Sequence, residues 1–216
     1  MIIKIINFSI AIMLICGAGS SSASFKPDVS DVAALQRGAR TYMNYCVACH
    51  TLKHVRFDGL AKGIGISKKL MAANLIFSGN TEVLGNSTIG NAMQPKDAEA
   101  WFGVVPPDLS LVARSRGTSW LYDYLLGFYA DPSKTWGVNN KTFPDVAMPH
   151  VLATEQDNLS AAEYRSLVAD LVTFLAFVGE PHQLERQRIG VWVLLFLGIL
   201  LVFAYLLKRE YWKSVK

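Results

Sequence analysis

The clearest chemistry in this 216-residue chain lies in one short stretch, Tyr45-Cys46-Val47-Ala48-Cys49-His50. Two thiols at this spacing lie about one helical turn apart, and a histidine follows the second directly. The C-x-x-C-H pattern is typical of c-type haem attachment. In that chemistry each thiol forms a thioether with a vinyl group, and a neutral imidazole nitrogen binds the iron. The sequence therefore predicts one covalently attached haem c, with His50 as an axial ligand.

Two other uses of a C-x-x-C pattern are redox dithiols and zinc sites. A redox dithiol is expected in a βαβ context, which this sequence does not predict. A four-ligand zinc site needs a second Cys or His pair, and no cysteine follows Cys49, although His54 is near. The third cysteine, Cys16, lies in a segment predicted to be removed, so no competing disulfide is expected while haem is attached.

A second axial ligand is predicted in the loop Asp131–Pro149. Met148 is favoured because prolines bracket it in a loop, which would position its thioether sulfur across the ring. His150 remains a rival, and Met93 is a candidate by residue type only. A thioether ligand stabilises Fe(II) and raises the reduction potential, which suits an electron carrier. A haem enzyme would instead need an open sixth position.

The elements that must position these residues are mainly helical. Apolar residues recur at helical spacing over Asp28–Tyr45, which leads into the haem motif. A capping box, Ser160-Ala161-Ala162-Glu163, opens a second helix that Gly179 should end. We expect the two helices to cross near Gly38, closing the haem pocket. Other stretches are predicted as shorter elements: helices over Ser67–Phe77, Lys96–Phe102 and Trp120–Tyr129, and turns over Gly79–Gly90.

The N-terminus predicts export. Lys4 precedes an apolar run to about Ala18 and then a run of small residues, as in a secretory signal peptide. Residues 1–23 are assigned to the signal, with cleavage after Ala23, and an uncleaved anchor is the alternative. Residues 24–185 would then form a periplasmic haem domain.

The C-terminus predicts a membrane anchor. Ile189–Leu207 is a nineteen-residue stretch without a charge, long enough to span a bilayer. We assign 186–207 to a polar link and a transmembrane helix, and 208–216 to a cytoplasmic tail. The basic residues after the span favour this orientation in the bacterial inner membrane.

The charge gives no reason to expect a nucleic-acid partner. Lys4 and the four bases after Leu207 account for five of the 21 Lys and Arg residues, and Glu210 for one of the 17 acidic residues. The region between therefore contains sixteen of each, so the formal charge of +4 belongs to the two ends of the chain.

Several stretches together resemble cytochrome c1, the haem subunit of the bacterial ubiquinol–cytochrome c reductase (bc1) complex. The stretches cover nearly the whole mature chain: Arg37-Gly38-Ala39, the haem motif, Pro106-Pro107-Asp108-Leu109-Ser110 with Arg114 and Arg116, Phe143-Pro144, Met148-Pro149, and the C-terminal span with its basic tail. Trp120 stands where some relatives carry Tyr, and no strong acidic run for a basic partner is present.

The resemblance implies a class I cytochrome c-like haem domain with insertions and one C-terminal transmembrane helix. It implies that His50 and Met148 ligate the iron and that Pro107, Arg116 and Phe143 contact the haem. Electrons would pass from a Rieske iron–sulfur protein to a soluble or membrane-bound cytochrome c, beside cytochrome b in a dimeric complex. The chain alone would not be catalytic. The alternative is a membrane-tethered monohaem carrier or oxidase subunit outside that complex.

Overall fold

The computed structural model describes residues 24–77, 87–91 and 93–213. The predicted signal peptide, most of the Gly79–Gly90 turns and the last three residues lie outside this range. The described residues form nine helices in chain order: α1 Val32–Tyr45, α2 Phe57–Gly63, α3 Lys68–Leu75, α4 Pro95–Phe102, α5 Val112–Arg116, α6 Thr118–Leu126, α7 Ala153–Asn158, α8 Ala161–Gly179 and α9 Gln183–Tyr211. The mainly helical fold class is confirmed.

The core forms where α1 crosses α8. Gly38 lies at this crossing, and a Cβ added there would lie 2.2 Å from the Asp170 carbonyl oxygen and 2.6 Å from the Phe174 Cβ. The backbones can approach this closely only because Gly38 has no side chain. Beside it, Arg37 donates two hydrogen bonds to the Asp170 carboxylate, at 2.6 and 2.9 Å. The predicted crossing near Gly38 is confirmed.

The helix boundaries follow from capping side chains. Asp31 accepts a hydrogen bond from the Ala34 N–H at the start of α1. At the start of α8, Ser160 and Glu163 form the predicted capping box, each side chain bonding the backbone N–H of the other residue. These contacts satisfy backbone donors that have no partner within the helix. The helix ends after Gly179, as predicted.

Four short strands were not predicted. Strand β1 (Leu52–Arg56) pairs antiparallel with β2 (Thr88–Ile89), and β3 (Phe128–Ala130) pairs antiparallel with β4 (Val138–Asn140). The prediction of helix up to Tyr129 is therefore wrong, since α6 ends at Leu126 and the chain turns into β3. Strands of two to five residues are too short to produce a clear alternating pattern.

The C-terminal helix begins earlier than predicted. The segment 186–207 is predicted to begin with a polar link, but α9 starts at Gln183, so only three residues separate it from α8. Among the described helices, α9 is the one long and apolar enough to cross a membrane, and none of its most apolar stretch is buried. Residues 183–188 are mostly polar, which suggested a link, but Leu, Glu, Gln and Arg are all good helix formers. The stretch therefore forms the first turns of α9.

Candidate haem site

All seven predicted site residues border one cavity. Its volume is about 360 Å³, and its walls are predominantly apolar. The seven come from separate parts of the sequence: Cys46, Cys49, His50, Pro107, Arg116, Phe143 and Met148. Leu171 and Leu175 of α8 form another part of the wall, so the α1–α8 crossing also closes the cavity.

The C-x-x-C-H motif continues the last turn of α1. The backbone N–H groups of Cys46 and His50 donate to the carbonyls of Tyr42 and Cys46, both at 2.8 Å. Cys49 also donates to the Cys46 carbonyl, at 3.1 Å. These helical-type bonds bring both thiols and the imidazole to the same cavity wall. The buried Tyr42 hydroxyl donates to the His50 carbonyl at 2.9 Å and fixes the end of the motif.

The His50 ring is oriented by the loop before α5. Its Nδ1 lies 2.7 Å from the Pro107 carbonyl oxygen, so Nδ1–H donates and Nε2 keeps its lone pair for a metal. Burial lowers the pKa of His50, although the Pro107 contact acts in the opposite direction. The imidazole is therefore neutral at physiological pH, which is the form that binds iron.

Asp108 fixes the same loop to β1. Its carboxylate accepts from the Thr51 hydroxyl at 2.6 Å, the Lys53 N–H at 2.8 Å and the Ser110 N–H at 3.0 Å. Burial raises the pKa of Asp108, but these hydrogen bonds together outweigh it and bring the pKa to about 2. The ionised carboxylate thus holds Pro107 in place beside His50.

Met148 borders the cavity from the other loop. The Tyr124 hydroxyl of α6 donates to its sulfur at 3.4 Å, and burial raises the pKa of Tyr124 to about 12, so this donor stays protonated.

The rival His150 is not among the cavity-lining residues. Its ring stacks on Phe128 at 4.7 Å, and its Nε2 lies 2.7 Å from the Gln156 Oε1. Met93 borders a separate, smaller cavity.

The aromatic residues beside the cavity form a connected wall. Trp120 stacks on Tyr124 with ring centroids 5.1 Å apart. The Phe143 ring packs edge-on against Trp120, with ring centroids 6.4 Å apart. The Arg116 guanidinium lies 5.2 Å from the centre of the Trp120 ring. Arg114 points elsewhere, since it pairs with Glu180 at 2.7 Å. Of the two arginines, only Arg116 is placed to meet a ligand in the cavity.

The two thiols lack the features of a redox or zinc site. Burial raises the pKa of Cys46 to about 12 and also raises that of Cys49, whereas reactive dithiols have lowered pKa values. Across the described residues, no group of three or more His, Cys, Asp or Glu residues is placed to hold a metal ion. The residues do fit a haem: paired thiols, a neutral imidazole, a thioether and a cation surround one apolar cavity.

Two buried residues beside the site carry no signal in the sequence. Asn139 and Asn140 are buried and bond to the loop that carries Phe143 and Met148. The sequence places them only within the predicted loop Asp131–Pro149. No periodic pattern marks them, because their role depends on contacts with other segments.

A mainly helical domain with this cavity, joined to one apolar C-terminal helix, defines a membrane-anchored haem protein of the electron-transfer class. The profile of the Cytochrome C1 family matches residues 26–215, and the chain belongs to that family. The family is the haem subunit of the bc1 complex, which also contains cytochrome b. A haem cofactor, an electron-transfer role and membrane anchoring follow from this membership.

Two of the individual relatives are named as cytochrome c1 proteins, and a third carries a different name. A protein named cytochrome c1 from Allochromatium vinosum is 44% identical, over 94% of this chain and 93% of its own length. A protein named ammonia monooxygenase gamma subunit from Nitrosomonas europaea is 42% identical, over 87% of this chain and 86% of its own length. A protein named cytochrome b/c1 from Bradyrhizobium diazoefficiens is 28% identical, over 84% of this chain and 33% of its own length.

Proposed function

We propose that the chain carries a single haem c, attached through thioethers at Cys46 and Cys49. Each thiol S–H would add across one vinyl group, forming a C–S bond while the proton goes to the neighbouring vinyl carbon. The observation that carries this proposal is the convergence of all seven predicted residues on one apolar cavity. The thiols lie on one helical turn, which suits two attachment points along one edge of a flat ring.

We propose His50 and Met148 as the two axial ligands. When bound, the haem supplies an iron that exchanges one electron between Fe(II) and Fe(III). The Nδ1–H···O contact with Pro107 selects the tautomer of His50 in which Nε2 is unprotonated. The Tyr124 hydroxyl donates to the Met148 sulfur and would help to orient it. A thioether at the sixth position keeps oxygen and other small ligands off the iron and raises the reduction potential.

Three further residues are proposed to contact the haem. Arg116 has a guanidinium at the cavity edge and would pair with a propionate through two parallel hydrogen bonds. Pro107 and Phe143 supply flat or rigid apolar surface against the ring. Phe143 is 45% exposed, so it lies where the cavity meets the solvent. An electron would enter and leave through such an edge rather than through a substrate pocket.

We propose that electrons arrive from a Rieske iron–sulfur protein and leave to a soluble or membrane-bound cytochrome c, within a dimeric complex. The haem domain, 24–185, would lie in the periplasm after cleavage behind Ala23. The segment 186–207 would complete the crossing of the inner membrane, and 208–216 would face the cytoplasm. The basic residues that follow the span support this orientation. Because Met148 would occupy the sixth position of the iron, the chain alone is not proposed to be catalytic.

The test is gentle purification of the tagged chain from membranes, with spectra and subunit identification on one sample. We expect a reducible c-type band together with cytochrome b and a Rieske protein. The same band without these two proteins would leave the haem assignment intact and overturn the assignment of partners.

One comparison favours a second function. The relative from Nitrosomonas europaea is named as a subunit of ammonia monooxygenase at 42% identity, close to the value for the bacterial cytochrome c1. The same haem domain would then serve as a membrane-tethered electron carrier outside the bc1 complex. Recovery of oxygenase or oxidase subunits, in place of cytochrome b, would support this second function.

Covalent attachment is tested separately. Replacing both Cys46 and Cys49 by alanine should remove haem from the polypeptide on a denaturing gel, because no thioether remains. Cys16→Ala is the matched control, since Cys16 lies in the proposed signal peptide, and it should keep full haem staining. Haem that stays with the polypeptide in the double variant would refute the attachment site.

A further inference from the structure

Two buried asparagines lie next to the loop that carries Met148. Asn139 and Asn140 form the end of β4 and are only 6% and 1% exposed. Buried amide side chains are costly unless their polar atoms are hydrogen-bonded. The bonds that each of them makes therefore indicate why polar residues occupy these positions.

Asn140 joins the loop to α6. Its Oδ1 accepts from the backbone N–H groups of Thr142 at 2.8 Å and Phe143 at 3.1 Å. Its Nδ2 donates to the carbonyl of Tyr124 at 2.7 Å. One side chain thus closes the turn that begins the loop and ties that turn to the helix.

Asn139 binds the loop further along. Its Oδ1 accepts from the Asp145 N–H at 2.9 Å and the Asn140 N–H at 2.8 Å, and its Nδ2 donates to Asp131 at 3.2 Å. Asp145 has a φ of 62°, a left-handed conformation that is uncommon for residues other than glycine. The bond from its N–H to Asn139 helps to keep the chain in this turn, three residues before Met148.

Tyr124 completes the connection. Its carbonyl accepts from Asn140 while its hydroxyl donates to the Met148 sulfur at 3.4 Å. The loop is therefore fixed to one residue of α6 at both of its ends.

We propose that Asn140 is a positioning residue for the sixth ligand, with Asn139 in support. By tying loop 141–148 to α6, Asn140 keeps the Met148 sulfur directed at the cavity, and it thereby governs the reduction potential and the exclusion of external ligands. This inference rests on the proposed ligation by Met148.

The test compares Asn140→Ala with the native chain, each purified in its complex. The readouts are the near-infrared thioether-to-iron charge-transfer band of the oxidised haem, the reduction potential, and carbon monoxide binding to the reduced haem. Because alanine removes three hydrogen bonds, we expect a weakened band, a lower potential, and about a tenfold or greater rise in the fraction that binds carbon monoxide. Asn74→Ala removes an exposed asparagine on α3 and is the control, expected to match the native chain.

The outcomes separate the two proposals. If the native chain has the charge-transfer band and Asn140→Ala matches it in all three readouts, the positioning role is overturned. If the native chain itself lacks the band, ligation by Met148 fails, and this inference fails with it.

A second variant covers the case in which Asn140→Ala does not assemble. Asn140→Asp keeps an oxygen for Thr142 and Phe143 but loses the N–H that faces the Tyr124 carbonyl. We expect the band to weaken as pH rises through the pKa of the new carboxyl and to return as pH falls, because the protonated carboxyl can donate to that carbonyl. A native band that persists throughout the titration of this carboxyl would show that the tie to α6 is not needed.

Discussion

The crossing of α1 and α8 allows a sharp test of how the haem domain is held together. Gly38→Ala adds one methyl group, whose carbon would lie 2.2 Å from the Asp170 carbonyl oxygen and 2.6 Å from the Phe174 Cβ. Both of these atoms are fixed to the backbone of α8, so no side-chain rotation relieves the overlap. The two helices must instead move apart.

The size of the effect follows from two opposing terms. Alanine is favoured over glycine inside a helix by up to about 1 kcal/mol. Overpacking a well-packed contact costs about 1–3 kcal/mol, and occasionally more. Because the overlap here involves backbone-fixed atoms on two residues, we expect a net loss of about 2 kcal/mol in the free energy of unfolding. For a domain of this size that corresponds to a fall of roughly 4–8 °C in Tm.

The measurement is thermal unfolding of the purified haem-containing protein, followed by circular dichroism in the haem absorption region. Gly59→Ala is a matched control, because Gly59 also lies inside a helix and a Cβ there has no atom within 4 Å. It should be neutral or stabilising by up to about 1 kcal/mol. Equal Tm values for Gly38→Ala and the native protein would refute the close-packing argument.

Three further predictions concern the site. Met148→Leu should leave haem covalently attached but lower its reduction potential, because leucine offers no sulfur, and an unchanged potential in redox titration would contradict ligation by Met148. Tyr124→Phe removes a hydrogen bond to the Met148 sulfur that is worth about 0.5–1.5 kcal/mol. A sulfur without that donor stabilises Fe(III) better, so redox titration should find a reduction potential lower by up to about 20–60 mV. A raised potential would contradict a hydrogen bond from Tyr124 to the ligating sulfur. Asp108 has a pKa of about 2 in the folded protein, below the value of 3.8 for an unperturbed Asp. Its ionised form therefore contributes stability that is fully present at pH values above 3.8 and is lost as the pH falls toward 2. Asp108→Asn should therefore be less stable at neutral pH and should lose less stability on acidification over that range, as measured by denaturant unfolding; parallel pH curves would contradict the assignment.

The sequence was informative wherever one local rule decided the structure. The capping box at Ser160 and Glu163 and the glycine at the end of α8 located the longest helix of the domain. The expected crossing at Gly38 was also correct, since a glycine inside an amphipathic helix costs stability unless it permits a close approach. The haem motif needed only residue types and their spacing.

Other features depend on contacts between distant segments and left no local signal. The strand β4 is three residues long, and its two buried side chains are asparagines rather than apolar residues. Asn140 reaches Tyr124, sixteen residues earlier, and Arg114 reaches Glu180, sixty-six residues later. Neither partner can be chosen from sequence spacing alone, so spacing did not separate Arg114 from Arg116, and Arg116 was named from the family resemblance.

The two buried features that matter most for the site act on different walls of the cavity, which makes their effects distinguishable. Gly38 sets the position of α8, whose Leu171 and Leu175 line the cavity, so crowding it should destabilise the whole domain. Among the described hydrogen bonds, the Asn140 side chain bonds α6 and the Met148 loop, so its loss should change the sixth ligand before it changes global stability. The residues share no contact partner in the described bonds, and their effects on unfolding should therefore add in a double variant. A strongly non-additive result would mean that α8 and the Met148 loop move together as one wall.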